Sequence, residues 1–140
     1  MSRLKIQLPD ALPCHVELDV RIGDINYGGH LGNDALLRLM HEARLAMLAE
    51  HGLTEMDCGG AGVIMADAEI AYLAEAFHRD RLCFQLGVAN IRRTGADIYY
   101  RAVRLGDNRE IARARTGIAF FDYERRKPAR TPEAFRTAFG

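Results

Sequence analysis

Between Asp24 and Arg44 the chain reads D-I-N-Y-G-G-H-L-G-N-D-A-L-L-R-L-M-H-E-A-R. Asp24, Asn26, His30, Asn33 and Asp34 form its one dense run of side chains able to move a proton, orient a water or hold a carbonyl. Gly28, Gly29 and Gly32 are interleaved with them, and helical amphipathic spacing begins directly afterwards. Such a turn puts free backbone N–H groups and the positive end of a helix dipole where an oxyanion or a polarised carbonyl can sit. An imidazole is the side chain best suited to proton transfer near neutral pH, which makes His30 a candidate base beside the carboxylates of Asp24 and Asp34. Asn26 can orient a water or a carbonyl, but a neutral amide accepts no proton. Tyr27, Gly32 and Asn33 are the candidates for substrate contact.

Each of these residues also has a plain structural account. Asp24 can close an Asx turn. Asn33 suits the N-cap position of the helix, with Asp34 paired to the helix dipole in the first turn. His30 can be a packed, hydrogen-bonded side chain. Both accounts stay open on sequence alone. His15, His41, His51 and His78 are scattered without ligand spacing, so no metal site is expected. Tyr99–Tyr100 and Phe120–Phe121 read as core or interface aromatics, and Arg125-Arg126-Lys127 as a solvated run.

The elements that must position the run follow from periodicity. Residues 14–22 alternate, with Cys14, Val16, Leu18, Val20 and Ile22 on one face, which predicts a half-buried strand ended by Gly23. Leu36, Leu37, Leu39, Met40, Ala43, Met47 and Leu48 form a broad helical stripe. Gly52 stands where a C′ glycine belongs. The predicted helix has about nineteen residues and is about 28 Å long. A stripe this wide implies a helix covered on most sides, as when a sheet wraps round it. Thr54–Gly62 reads as a connector, and four strands in meander are expected at 62–73, 81–92, 97–105 and 110–123. In the first of them Asp67 and Glu69 share a face with Val63 and Met65. Gly106-Asp107-Asn108 is a strong hairpin signal. Pro128 and Pro132 end the last strand, leaving a tail or a short helix. One helix beside a run of strands predicts an α+β fold with an antiparallel sheet, in a single domain over 1–140.

The totals exclude several classes. At 140 residues and 49% apolar composition the chain can bury a real core and is not disordered in type. Nineteen basic and nineteen acidic side chains cancel, which argues against a nucleic-acid or anionic-membrane binder. Seventeen of the basic residues are Arg, which suits phosphate recognition and equally follows from genome base composition. Cys14, Cys58 and Cys83 are odd in number and lack CxxC spacing, as expected of reduced core thiols in a cytoplasmic protein. No signal peptide and no membrane span are evident.

The order of motifs resembles the 4-hydroxybenzoyl-CoA thioesterase-like branch of the hotdog superfamily. The pattern is strand, D-x-[DN]-x-x-[GN]-H-[LV]-x-N, then a helix carrying E-A-R. Asp24, Asn26, His30, Asn33 and Glu42-Ala43-Arg44 match it. Tyr72–Asp80 resembles the family's strand and loop, and Ala114–Asp122 with the following basic run its last strand. The resemblance spans about residues 14–132. It implies a sheet wrapped round the long helix, and protomers paired edge to edge as a homodimer or homotetramer. The active sites would lie at the interface and the substrates would be acyl thioesters of coenzyme A or acyl carrier protein. No metal or redox cofactor is implied. Arg92 and Arg93 are then the candidates for the coenzyme A phosphates, with Asp24, Asn26, His30 and Asp34 as catalytic residues.

One departure matters. Many members carry Asp where this chain has Asn26, and that Asp is their nucleophile or base. Either a carboxylate elsewhere replaces it, from Asp24, Asp34, Asp67 or Glu69, or His30 acts as the base, or the chain is catalytically weak or only binds acyl-CoA. A further alternative is a hotdog enoyl-CoA hydratase, whose G-D-x-N-P-x-H motif begins as Gly23-Asp24-Ile25-Asn26 does. Here Tyr27 replaces the proline and His30 arrives one residue late. That alternative requires Asp24 and His30 to converge on one pocket.

Overall fold

The computed structural model of the protein describes residues 3–140. The chain runs β1 (Cys14–Asp19), a 3-10 turn (Ile22–Asp24), α1 (Asn33–Ala49), β2 (Gly62–Tyr72), β3 (Arg81–Arg92), β4 (Gly95–Arg104), β5 (Glu110–Asp122), β6 (Lys127–Pro128) and α2 (Glu133–Phe139). All strand pairs are antiparallel, in the order β1-β3-β4-β5-β2, with β6 on the end of β5.

The expected meander holds only for β3-β4-β5. β2 does not pair with β3; it lies at the far edge beside β5, from Gly62↔Phe121 to Tyr72↔Ala112. The helix is the physical reason. α1 carries the chain between the two edge strands, β1 and β2, so the sheet can curl round a stripe too wide for one flat face. Ala35, Leu36, Leu39, Met40, Ala43, Met47 and Leu48 are all buried. They pack on the helix-facing side chains of the sheet, among them Leu82, Phe84, Leu86, Tyr100, Ala112, Ala114 and Phe120. α2 closes the open end by setting Phe135 edge-on against Phe120, centroids 5.0 Å apart.

Local chemistry sets the ends of the elements. α1 stops in a Schellman arrangement: Leu53 N–H donates to Leu48 O and Gly52 N–H to Ala49 O, both at 3.0 Å, with Gly52 at φ +70°. The helix is therefore 17 residues rather than nineteen. β1 ends at Asp19 instead of running to residue 22, and Ile22 is 68% exposed. Its alternation with Val20 is broken by the 3-10 turn, whose tighter winding turns Ile22 outward. In β2 a bulge at Ala66, between Met65↔Ile118 and Asp67↔Gly117, inserts one residue. Asp67 and Glu69 thus leave the face of Met65 and meet Arg115 on the outer side of the sheet, at 2.7 and 2.9 Å. β4 begins at Gly95, two residues before the expected start, and β6 has no signal in the hydropathy pattern.

The outer face is crossed by residues 3–13. Arg113 Nη1 donates to Ile6 O at 3.2 Å, and Ile6 is 7% exposed. Gly87 is where this strap touches the sheet, since a Cβ there would lie 2.7 Å from Ala11 O. Gly87→Ala should therefore lower stability by about 1–3 kcal/mol, the usual range for forced overpacking, read as an earlier midpoint in urea unfolding. An unchanged midpoint would mean that the strap yields.

Candidate active site

The loop between the 3-10 turn and α1 is a small bridged unit. Ile25 and Leu31 form an isolated antiparallel bridge. Inside it, Asn26 N–H donates to His30 O at 2.9 Å and Gly29 N–H to Asn26 O at 3.0 Å. The Asn26 side chain ties the same turn, because its Oδ1 accepts from Gly28 N at 2.9 Å and His30 N at 3.4 Å. Leu31 N–H donates to Ala76 O at 2.8 Å, which joins this loop to the segment after β2.

Asp24 is 4% exposed. Its carboxylate accepts from Arg21 N at 2.9 Å and Arg21 Nε at 3.4 Å, while its carbonyl accepts from Gly32 N at 3.0 Å. It holds the loop. His30 Nδ1 lies 3.2 Å from Leu31 O, a contact in which the Nδ1–H donates.

The start of α1 differs from the sequence expectation. Gly32, not Asn33, is the N-cap, with φ −71° and ψ 151°, and as a glycine it has no side chain to cap with. The first helical hydrogen bond is Leu36 N–H to Gly32 O. Asn33 N–H has no acceptor among the described residues. A Cβ on Gly32 would come 2.7 Å from Asp34 Oδ1, so any other residue there would push the exposed Asp34 side chain aside. Asp34 Oδ2 accepts from Arg38 Nη1 at 3.2 Å. That hydrogen bond, with the nearby backbone N–H groups, keeps its carboxyl below the ordinary range.

A cavity of about 400 Å³ opens against this helix end. Asn26, His30, Gly32 and Asn33 line its polar side, Leu31, Leu36, Ala74, Ala76 and Ile111 its apolar side, and Tyr72 and Glu75 complete it. Tyr72 Oη donates to Asn33 O at 3.3 Å. Burial and the Asp34 carboxylate push the Tyr72 phenol up from its usual value.

Four of the nine sequence candidates, Asn26, His30, Gly32 and Asn33, thus come together. Asp24 and Asp34 do not line the cavity, and Tyr27 is fully exposed. Arg92 and Arg93 stand at the β3–β4 turn, where Arg92 pairs with Asp97 at 3.3 Å and their carbonyls accept from Thr131. Tyr72 and Glu75 were missed. The available signal was an acidic residue inside the otherwise apolar run Leu73–Phe77, but the strand pattern drew attention away from it. Among the described residues no group of three or more His, Cys, Asp or Glu could hold a metal ion, and no helix is long and apolar enough to cross a membrane.

A sheet curled round one long helix, with a cavity at that helix's N-terminus, defines a hotdog fold. The sequence profile of the thioesterase-like superfamily matches residues 20–139, and the chain belongs to that family. The structure is similar to Slr0204, a 1,4-dihydroxy-2-naphthoyl-CoA thioesterase from Synechocystis, with TM-score 0.81 and 24% identity over 89% of this chain and 93% of that one. It is similar to the gentisyl-coenzyme A thioesterase BH1999, with TM-score 0.79 and 18% identity over 90% and 99%. A third similar structure is SAV2348 from Staphylococcus aureus in complex with CoA, with TM-score 0.80 and 14% identity over 89% and 80%. Among curated protein sequences none matches the chain.

Proposed function

We propose that the protein is a cytoplasmic acyl-CoA thioesterase, hydrolysing the thioester to a free acid and coenzyme A without a metal or redox cofactor. The observation that carries this reading is the start of α1 beside a cavity. Asn33, whose N–H has no acceptor among the described residues, lines that cavity together with polar and apolar side chains. The thioester oxygen sits against Asn33 N–H and Asn26 Nδ2, where the helix dipole stabilises the charge that grows in the transition state. The acyl group lies along Leu31, Leu36 and Ile111. Coenzyme A is favoured over a carrier protein because Slr0204 and BH1999 are named for CoA thioesters and SAV2348 holds CoA. The hydratase alternative loses its basis, since the Asp24 carboxylate is spent on Arg21 and does not meet His30 in the cavity.

The working unit in this reading is a homodimer joined along β2. That strand is eleven residues long, pairs with β5 on one side only, and exposes Ile64 and Met65. A long free edge with apolar side chains invites pairing with another chain, and Tyr72 at its end already lines the cavity. Sedimentation should give twice the 15.7 kDa chain mass, and a Met65→Lys variant should shift toward monomer.

The deciding experiment is thiol release from short, medium, long and aromatic acyl-CoAs. Turnover of one class supports the reading. Tight acyl-CoA binding without any release would make the protein a binding protein instead.

A further inference from the structure

Asn26 cannot take a proton from water, and the acidic candidates named from the sequence are engaged elsewhere. Asp24 is bound to Arg21, Asp34 to Arg38, and Asp67 and Glu69 to Arg115 on the outer face. One acidic residue does line the cavity, Glu75. Its side chain makes no hydrogen bond or ion pair among the described residues. Its backbone, in contrast, is held on both sides. Arg104 Nη1 donates to Glu75 O at 2.9 Å, and Arg104 is itself fixed by Asp80 and Asp107 at 3.3 and 3.0 Å. The neighbouring Ala76 O accepts from Leu31 N–H at 2.8 Å, and Ala74 N–H donates to Ile111 O at 3.2 Å. An uncommitted carboxylate on a pinned backbone, on a residue that lines the same cavity as Asn33, can turn to a water there and take its proton.

We propose that Glu75 is the catalytic base, an assignment that rests on the thioesterase reading above. The water oxygen adds to the thioester carbon while a water proton passes to Glu75. The carbonyl electron pair moves onto oxygen, held by Asn33 N–H. When the tetrahedral intermediate collapses, the C–S bond breaks and the leaving thiolate takes the proton back from Glu75. The products are the acid and the free thiol, and Glu75 returns to its carboxylate.

The test compares wild type with Glu75→Gln on the best acyl-CoA of the panel. The variant should lose about 100-fold in kcat, within the range for a positioned general base, with KM changed less than about threefold. Its residual rate should rise in proportion to hydroxide where the wild-type rate is flat. A purely structural role would not move that pH profile. Thermal unfolding should be unchanged, because the side chain holds nothing in place. Wild-type turnover with a Glu75→Gln rate within about threefold would overturn this assignment and leave the thioesterase reading standing. No release by wild type from any acyl-CoA would sink both.

Discussion

Arg44→Met should destabilise the protein by about 2–3 kcal/mol, somewhat under the usual cost of breaking a buried ion pair because Glu55 keeps some water contact. In a chain of this size that corresponds to a Tm roughly 10 °C lower. Arg44, on the buried face of α1, is 8% exposed and stands at the centre of a continuous polar network. Its Nε donates to Glu55 Oε2 at 2.7 Å and its Nη1 to Tyr100 Oη at 3.1 Å. Tyr100 Oη is in turn 2.7 Å from Thr116 Oγ1, and His41 Nε2 reaches Glu55 Oε1 at 2.7 Å. Methionine fills much of the same space but strands the Glu55 carboxylate with one partner. Adding Glu55→Gln to Arg44→Met should recover part of the loss, since the stranded charge is then gone. A double variant no more stable than Arg44→Met alone would show that packing, not charge, sets the cost.

The same network has a pH signature. Burial works against the Glu55 charge, but the hydrogen bonds and charges of Arg44 and His41 outweigh it and hold the carboxyl below its ordinary value of 4.5. A group depressed on folding stabilises the native state above its unfolded value, and the contribution is lost as pH falls through the folded value. Wild type should therefore lose stability steeply below pH 4.5. Glu55→Gln, less stable at neutral pH, should show a shallower acid slope in urea unfolding followed by circular dichroism.

Features carried by short-range chemistry were readable in the sequence. The stripe from Leu36 to Leu48 becomes the buried face of α1, and Gly52 takes the positive φ that a C′ glycine takes. The Gly106-Asp107-Asn108 turn forms between β4 and β5, with Gly106 and Asn108 both at positive φ. What local pattern does not encode is pairing at a distance. β2 and β3 are neighbours in sequence, yet β2 crosses to β5, and the Ala66 bulge that reorients Asp67 depends on that partner. The same limit governs the site. Asn26, His30, Gly32 and Asn33 lie within one loop and could be grouped by proximity. Glu75 joins them in the cavity lining from a segment tied to the loop by the Leu31–Ala76 bond, across a gap of 45 residues. The cap was misplaced for a different reason: asparagine is a good N-cap by type, but Gly32 already supplies the extended cap conformation one residue earlier.

That misplacement permits a clean test of the helix end, because Asn33 is the first helical residue. Asn33→Pro should reduce kcat by about 100- to 1000-fold, the range seen when one oxyanion donor is removed, and leave the fold intact. Proline is well tolerated at the first position of a helix, where its missing N–H breaks no helical bond. The preceding residue must be extended, and Gly32 at φ −71°, ψ 151° already is. The carbonyl that accepts from Tyr72 Oη is retained. Proline also narrows the unfolded ensemble, so stability should hold or rise by up to about 1 kcal/mol. Because the substitution removes a side chain as well as a donor, Asn33→Ala is the reference, and the ratio of the two rates isolates the N–H. A large ratio with equal thermal stability places the developing oxyanion at the start of α1. Equal rates for proline and alanine would move it elsewhere, with Asn26 Nδ2 the next donor to test among the residues lining the cavity.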